Sequence, residues 1–418
     1  MPAPVGKQAL TAVFPVLAES SATIGASIEA VSAALCAKLA TAESVHAARF
    51  VLLDGPGASG QGAATLLLFA TIFDGSTQAH LDELWSYGAL ELEGVLAQCA
   101  GWARPSTRAS FGRFVSAHAR PVAALFSAHV ERTVPQIRED FALRSALSRW
   151  LSEHERELRV LAPAEIVRRA GERFDVPREG TATREAREKR DAAVRQVGAS
   201  QLALGEWVAF GVTFLRSCIH DVGDLFGGLW HDTLTSSGSV PSLTAGATGT
   251  SGSVRTFSHV VEVKAGRFRR RALRLVLRLL DKLSQATSAR GKVLGVEAVQ
   301  SASFMLLEDG RLIFLADFDA SVESVLERVA ERAPGLVGMI WSQTRGFPIS
   351  FGWYRGGARD TAKLRDFARQ GRLRTPFGYS GYSALGARQI RENAEIRRLF
   401  DGALDDARAR RLLSLVRD

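Results

Sequence analysis

A ten-residue segment, VHAARFVLLD at residues 45–54, recurs 254 residues later as VQSASFMLLE at residues 299–308. Two further segments recur in the same order: FATIFDGS from Phe69 as FLADFDAS from Phe314, and QIRED from Gln136 as QIREN from Gln389. The offsets of the three matches are 254, 245 and 253 residues, and nine extra residues at 55–63 account for the short middle one. Three matches in one order indicate that the chain contains an internal duplication.

Each copy carries the same order of predicted elements. An apolar strand, at 10–17 or 257–263, precedes a long helix. Two strands then form a hairpin, and helical segments, a short strand and the Gln-Ile-Arg-Glu helix follow. This β-α-β-β-α-β order predicts a ferredoxin-like fold for each copy. Two such sheets can pack face to face, so we expect an α+β protein in which two tandem ferredoxin-like domains form an intramolecular barrel.

The duplication divides the chain into four parts. We expect copy one at 8–150 and copy two at 256–418, separated by a helical insert at 151–232 and a flexible linker at 233–255. The insert begins with interleaved Glu and Arg, which is typical of an exposed helix with ion pairs between successive turns. The linker is rich in Ser, Thr and Gly, as flexible connections are.

Composition excludes several classes of protein. The 418 residues are 46% hydrophobic and 23% charged, which is ordinary for a globular protein and excludes a disordered or collagen-like chain. Three scattered cysteines, Cys36, Cys99 and Cys218, exclude a disulfide scaffold and lack metal-binding spacing. No apolar run is long enough to predict a membrane-spanning helix. We therefore expect a cytoplasmic protein, with attachment to a membrane surface left open.

Five segments of the second copy form a set: FSHVVEVKAGRFRR from Phe257, FDASVES from Phe318, IWS from Ile340, GFP from Gly346 and GARD from Gly357. In these segments the chain resembles a bacterial family of uncharacterised tandem proteins. That family is similar to the dimeric α+β barrel superfamily, to which the dye-decolorising peroxidases also belong. The resemblance implies a small-molecule ligand, with haem as the implied cofactor and a peroxidase-like reaction as the implied activity.

The peroxidases bind haem through an axial His and use an Asp and an Arg on the distal side. The resemblance therefore implies His259 as an axial ligand, although a lone His near a strand end is also typical of a hydrogen-bonded structural residue. The chain departs from the pattern of the tandem family at Gln300 and Ser303, where His and Arg would stand. It also lacks the Gly-x-x-Asp-Gly signature of the peroxidases.

In the first copy His46, Arg49 and Asp74 are candidates for an acid–base residue, a charge stabiliser and a proton acceptor. A strand and the start of the next helix lie close in this fold, which would bring them together. The alternative is that Asp74 caps the following helix, as Asp319 does in copy two, while Arg49 pairs with a neighbour. His46 and Arg49 also differ in parity, so they point to opposite faces unless a β-bulge intervenes.

Basic residues concentrate on one predicted helix, residues 267–283. The chain has 53 Lys and Arg against 44 Asp and Glu, a net charge of +9. Six arginines fall on this helix: Arg267, Arg269, Arg270, Arg271, Arg274 and Arg278. An apolar stripe that includes Ala272 and Val276 is expected to pack on the sheet.

A second set of apolar residues on this helix, Leu273, Leu277 and Leu280, lies to another side. These residues either lie beneath the apolar part of the insert or enter an anionic membrane whose phosphates contact the arginines. Trp207 and Trp230 of the insert would suit a membrane interface. Nucleic acid is a third partner, but no DNA-binding motif accompanies the arginines.

Two functions of different kinds follow from the sequence. The first is a small-molecule-binding protein with a haem-dependent, peroxidase-like activity, which rests on the resemblance. The second is a non-catalytic protein that docks on a membrane surface or a protein partner through residues 267–283 and 201–230. A visible spectrum with haem supplied and a vesicle-binding measurement would separate them.

Overall fold

The two copies form the strands and helices that their shared pattern predicts. The structure is a computed structural model and describes residues 7–55, 64–104, 106–129, 132–174, 254–287, 298–348, 350–351, 355–400 and 405–417. Copy one contains β1 (Lys7–Pro15), α1 (Ile24–Leu39), β2 (Val45–Asp54), β3 (Thr65–Asp74), α2 (Thr77–Leu96), α3 (Arg108–Ala117), β4 (Ala119–Arg120), β5 (Ala124–Ser127) and α4 (Val134–Glu153). Two helices of the insert follow, α5 (Glu155–Leu158) and α6 (Pro163–Arg173).

Copy two repeats this order with more helical material. It contains β6 (Arg255–Glu262), α7 (Arg267–Thr287), β7 (Val299–Leu306), β8 (Arg311–Phe318), α8 (Val322–Arg332), α9 (Pro334–Trp341), β9 (Ser350–Phe351), β10 (Arg355–Gly356), α10 (Thr361–Gln370), β11 (Phe377–Ser380), α11 (Ala387–Phe400) and α12 (Asp406–Arg417). The predicted opening strands and hairpins of both copies are confirmed, with bounds that differ by a few residues.

Each copy gives its last strand to the sheet of the other copy. The first antiparallel sheet has the order β11-β2-β3-β1-β4, and the second has the order β5-β7-β8-β6. Phe377 of β11 lies opposite Phe50 of β2, and Ala124 of β5 lies opposite Phe304 of β7. The described fold is therefore mixed α and β. It has two antiparallel sheets, each with one strand from the other copy, and a separate ribbon of β9 and β10.

Both faces of each sheet are buried, which explains the nearly continuous apolar runs in the strands. Along β3, Leu67 and Phe69 belong to the core beneath helices α1, α2 and α3. The alternate residues Leu68 and Ala70 belong to a different cluster, which they share with Ile313 of β8. Because side chains alternate along a strand, one face of the first sheet meets helices and the other meets the second sheet.

A β-bulge interrupts the same position in both copies. The register between β2 and β3 shifts between Val45 and Ala47, so His46 is the extra residue. The register between β7 and β8 shifts between Val299 and Ser301, which makes Gln300 the extra residue. A bulge changes the direction of the side chain at its extra residue, and it removes the parity objection raised by the sequence.

The described part of the insert packs beneath the ends of both copies. Helices α5 and α6 form one core cluster with α4, α11 and α12, through residues such as Leu147, Val167, Phe400 and Leu412. Helix α4 continues through the predicted boundary at residue 150 to Glu153. The rest of the predicted insert, with Trp207 and Trp230, and most of the predicted linker lie outside the described residues.

Candidate functional site

The bulge residue His46 lies at the centre of a polar cluster that also contains Lys7, Asp74 and Tyr382. Its Nε2 is 2.7 Å from Asp74 Oδ2, and its Nδ1 is 3.1 Å from Lys7 Nζ and 3.2 Å from the Tyr382 hydroxyl. Burial, with the charge of Lys7, lowers the pKa of His46 to about 4, so the ring is neutral at neutral pH. In the matching tautomer Nε2–H donates to Asp74, and Nδ1 accepts a hydrogen bond from Lys7 or Tyr382.

Asp74 is available to His46 because another residue caps helix α2. Ser76 is the N-cap, and its hydroxyl accepts a hydrogen bond from the backbone N–H of Ala79. In copy two Ser321 caps α8 in the same way, and Asp319 accepts from the backbone N–H of Ala387, 2.6 Å away. The interpretation of both aspartates as caps of these helices is therefore wrong.

Lys7, Tyr382 and His129 were missed by the sequence analysis. Burial lowers the pKa of Lys7 to about 7, and burial raises the pKa of Tyr382. His129 is 4% exposed, its Nε2 has no hydrogen-bond partner in the described structure, and its ring centroid lies 6.0 Å from that of Tyr382. With the offset of 253 residues, Tyr382 of copy two aligns with His129 of copy one. This match of two polar residues could have identified both as members of the site.

Arg49 forms a separate buried ion pair instead of joining His46 and Asp74. Its Nη2 is 2.6 Å from Asp317 Oδ2, and its Nη1 donates to the carbonyl oxygen of Ala316 at 3.2 Å. The Ser301 hydroxyl donates to the same carboxylate oxygen at 2.5 Å. The structure therefore brings two members of the predicted catalytic triad together, while Arg49 connects the two sheets.

A cavity of about 220 Å³ lies between the second sheet and helices α7 to α10. Aromatic side chains form much of its wall: Phe126, Phe257, Phe304, Phe314, Phe318, Trp341 and Phe367. Its polar side chains are His259, Ser284 and the indole of Trp341. His259 therefore lines this cavity, and the cavity lies between the second sheet and its helices, not between the two sheets.

The core of copy one holds an aromatic ring that copy two lacks. Phe14 stacks on Phe114 with their centroids 5.0 Å apart. The edge contact of Trp102 with Phe114 at 5.0 Å is common to both copies, since Phe347 meets the edge of the matched Phe367 at 5.4 Å. Strand pairing places Phe14 opposite Leu67 and Val261 opposite Leu312, which are matched positions in the duplication. A smaller Val261 thus stands in copy two where Phe14 fills the core of copy one.

His259 has a structural counterpart in copy one, although that residue lies elsewhere in the chain. The Nε2 of His259 is 3.2 Å from the carbonyl oxygen of Phe367, and the Nδ1 of His118 is 2.9 Å from the carbonyl oxygen of Phe114. Phe367 and Phe114 are matched positions, 253 residues apart. In both copies, therefore, a histidine ring hydrogen-bonds to the same carbonyl near the end of a helix.

The two histidines lie on different segments of a backbone pairing that both copies contain. In copy one Ala12 pairs with Ala119, and the histidine is His118, the residue before Ala119. In copy two His259 itself pairs with Arg372, and the residue before Arg372 is Gly371. A Cβ on Gly371 would collide with the His259 ring, so the glycine provides the space that the ring occupies. Burial lowers the pKa of His259 to about 4 and leaves the ring neutral. These contacts support a structural role for His259.

Exchanging the two positions should preserve the fold better than changing either one. Gly371→His alone should destabilise the protein by about 1–3 kcal/mol because it overpacks the site. His259→Ala alone should cost a similar amount because it leaves a void and removes one of the two hydrogen bonds to the Phe367 carbonyl. The double variant H259A/G371H reproduces the Ala12–His118 arrangement and should recover most of the loss. Urea unfolding measures all three, and a double variant as unstable as the sum of the two changes would contradict the structural role.

Comparisons with protein-family models, curated proteins and solved structures found no match for this chain. Across the described residues there is no group of three His, Cys, Asp or Glu side chains suited to hold a metal ion. None of the described helices has both the length and the apolar composition needed to cross a membrane.

Helix α7 buries residues of both apolar sets. Leu273 and Leu277, which were expected to lie beneath the insert or to enter a membrane, are fully buried and share a core cluster with Phe304 and Leu312 of the second sheet. Val276 of the predicted stripe belongs to the same cluster and Ala272 is also buried, so that stripe does pack inward and the buried side is wider than predicted. Arg269 is also buried, and its Nη1 donates to Gln343 Oε1 at 3.1 Å. The other five arginines of the predicted cluster are exposed.

Proposed function

We propose that this protein binds an apolar small molecule in the cavity of copy two. The observation that carries the proposal is the cavity of about 220 Å³ itself, whose wall is mostly aromatic and aliphatic. Protein interiors are close-packed, and cavities larger than a water molecule are few. An aromatic wall with few polar groups is typical of ligand pockets.

The polar groups at the cavity indicate what kind of ligand it suits. His259 uses its Nε2 on the carbonyl of Phe367, and the Ser284 hydroxyl donates to the carbonyl oxygens of Leu125 and Asp281 at 2.6 and 2.7 Å. These groups therefore have partners within the protein and do not require a polar ligand. An aromatic or long-chain hydrocarbon ligand matches this lining best.

The described residues of the cavity do not fit haem. The two carboxylates of haem need cationic or hydrogen-bonding partners, and no Lys or Arg belongs to the described lining. The histidine implied as the axial ligand is held by the carbonyl of Phe367 and by Gly371. The proposal therefore keeps the small-molecule ligand implied by the resemblance and contains no haem-dependent peroxidase step.

We also propose that the two sheets close the tandem ferredoxin-like barrel predicted from the sequence. Three observations support it: the exchange of β5 and β11, the cluster that joins Leu68 and Ala70 to Ile313, and the ion pair between Arg49 and Asp317. In such a barrel the ligand would lie outside the barrel wall, under the helices of copy two.

Matched alanines test whether the space in copy two is real. Ala302 lines the cavity, and Ala48 is its counterpart in the filled core of copy one. Ala302→Leu should be neutral or stabilising, because the larger side chain enters the cavity. Ala48→Leu should destabilise by about 1–3 kcal/mol, because that core is already full. Thermal and urea unfolding measure the difference, and equal destabilisation by the two changes would argue against a cavity.

Binding itself can be measured with the uncharged fluorophore N-phenyl-1-naphthylamine. We expect saturable binding with a blue-shifted emission that a long-chain hydrocarbon reverses, and Ala302→Phe should abolish it by filling the cavity. Ala142→Phe places the same ring on the exposed side of α4 and should leave binding unchanged. Binding that survives A302F, or a Soret band of bound haem when haem is supplied, would overturn the proposal.

A further inference from the structure

The exposed side of helix α7 is a continuous basic ridge made of Arg267, Arg270, Arg271, Arg274 and Arg278. All five residues are exposed. At 3.6 residues per turn they fall within an arc of about 100°, and at 1.5 Å per residue the ridge is about 16 Å long. The five side chains therefore leave the helix on one side, and the Arg270 guanidinium lies against Gly310 of the β7–β8 turn.

The ridge is not part of an ion-pair network with the described residues. Some exposed arginines elsewhere have acidic partners, such as Arg168 with Glu165 and Glu172 on α6. The nearest acidic residue along α7 is Asp281, which is engaged by the backbone N–H of Leu125 at 3.0 Å. The five arginines make no ion pair with an acidic side chain in the described parts of the chain, so their charge is available to an external anion.

The ridge carries charge without an apolar component. Every exposed side chain described on α7 belongs to an Arg or a Lys, and the leucines from Leu273 to Leu280 are buried or half-buried. The opposite side is held against the second sheet by Leu273 and Leu277, so the helix cannot turn to present them. A partner of this surface is therefore held by electrostatic contact and not by insertion.

We propose that the basic ridge docks the protein on the headgroups of an anionic lipid bilayer. Four to eight basic residues on one helix are the pattern that binds acidic phospholipids, and each contributes about fivefold to binding. A flat bilayer can contact this side of the helix along its length, because the opposite side is packed on the sheet. The exposed arc carries no aromatic or amide side chain for base recognition, which argues against nucleic acid.

Co-sedimentation with phosphatidylcholine vesicles, with and without phosphatidylserine, tests the proposal. We expect binding only when phosphatidylserine is present, and we expect it to weaken as salt is raised. The triple variant R271Q/R274Q/R278Q should bind about 100-fold more weakly, since three charges are removed. These side chains are exposed, so thermal unfolding should show that the variant remains folded.

A control variant with the same change in net charge is R159Q/R369Q/R410Q. These three arginines are 74%, 67% and 70% exposed, and they lie at the C-cap of α5, on α10 and on α12. The control should bind vesicles as the unmodified protein does. Equal binding with and without phosphatidylserine, no binding at low salt, an equal loss in both triple variants, or tighter binding to duplex DNA or RNA at the same salt would each overturn the proposal.

Discussion

Lowering the pH from 6.5 to 4.5 is expected to remove most of the stability of this protein. Four histidines, His46, His80, His129 and His259, are at most 4% exposed, and burial is the largest cause of the lowered pKa in each. In the folded state the pKa is about 4 for His46, about 3 for His80 and about 4 for His259. The folded protein therefore keeps these rings neutral where the unfolded chain protonates them.

The sign of the effect follows from proton binding. Below pH 6.5 the unfolded chain binds protons that the folded protein does not, so stability is present above that pH and is lost as the pH falls toward 4. Protonation linked to His46, His80 and His259 lowers the free energy of unfolding by roughly 2 kcal/mol for each residue by pH 4.5. His129 acts in the same direction. The sum approaches a typical total stability of about 5–15 kcal/mol.

Urea unfolding at a series of pH values measures this loss. The slope of the unfolding free energy near pH 5 should correspond to an uptake of about three to four protons. The His129→Phe variant should lower the uptake by about one proton, because it removes one buried ring that the unfolded chain protonates. A slope of one proton or less in the unmodified protein would contradict the neutral state of these histidines.

Breaking the ion pair between Arg49 and Asp317 is expected to destabilise the protein by about 3–5 kcal/mol. Arg49 and Asp317 are 4% and 3% exposed, and the pair joins strand β2 of the first sheet to β8 of the second. Asp317→Ala leaves the guanidinium buried without its anion, and Arg49→Met leaves the carboxylate buried without its cation. An uncompensated buried charge is the physical reason for the large effect.

The double variant R49M/D317L distinguishes a lost charge partner from lost packing. It should be more stable than either single variant, because it replaces both charges by apolar groups. The exposed pair Arg159–Glu155 is the matched control, and its Arg159→Met change should alter stability by about 1 kcal/mol or less. If R49M/D317L lost as much as the two single changes together, Arg49 and Asp317 would not be coupled across the sheets.

Residues His46 and Asp74 show how far the candidate site could be predicted from sequence. Their proximity follows from a hairpin strand and the start of the next helix, and both were predicted together. The β-bulge that turns His46 toward Asp74 could not be predicted, because it depends on the register between β2 and β3. Lys7 and Tyr382 are 39 and 336 residues away from His46, so only the folded sheet brings them to its ring.

For helix α7 the composition predicted a basic, amphipathic helix, but it did not predict which side of the helix packs on the sheet. The arginines and leucines alternate so closely that two apolar stripes fit the sequence, and only the stripe with Ala272 and Val276 was expected to pack on the sheet. Packing against Phe304 and Leu312 buries Leu273 and Leu277 together with Val276. A hydrophobic pattern predicts that a helix has a buried side, but its contact partners are non-local.

The sequence by itself determined the duplication, the order of the strands and the basic character of α7, because these properties are encoded in neighbouring residues and in repeated patterns. Only the tertiary structure decided that β5 and β11 join the sheet of the other copy, that Arg49 meets Asp317 and that copy two holds a cavity under its helices. The physical reason is that side-chain volume and charge act between segments far apart in the chain, where their effect depends on which surfaces meet.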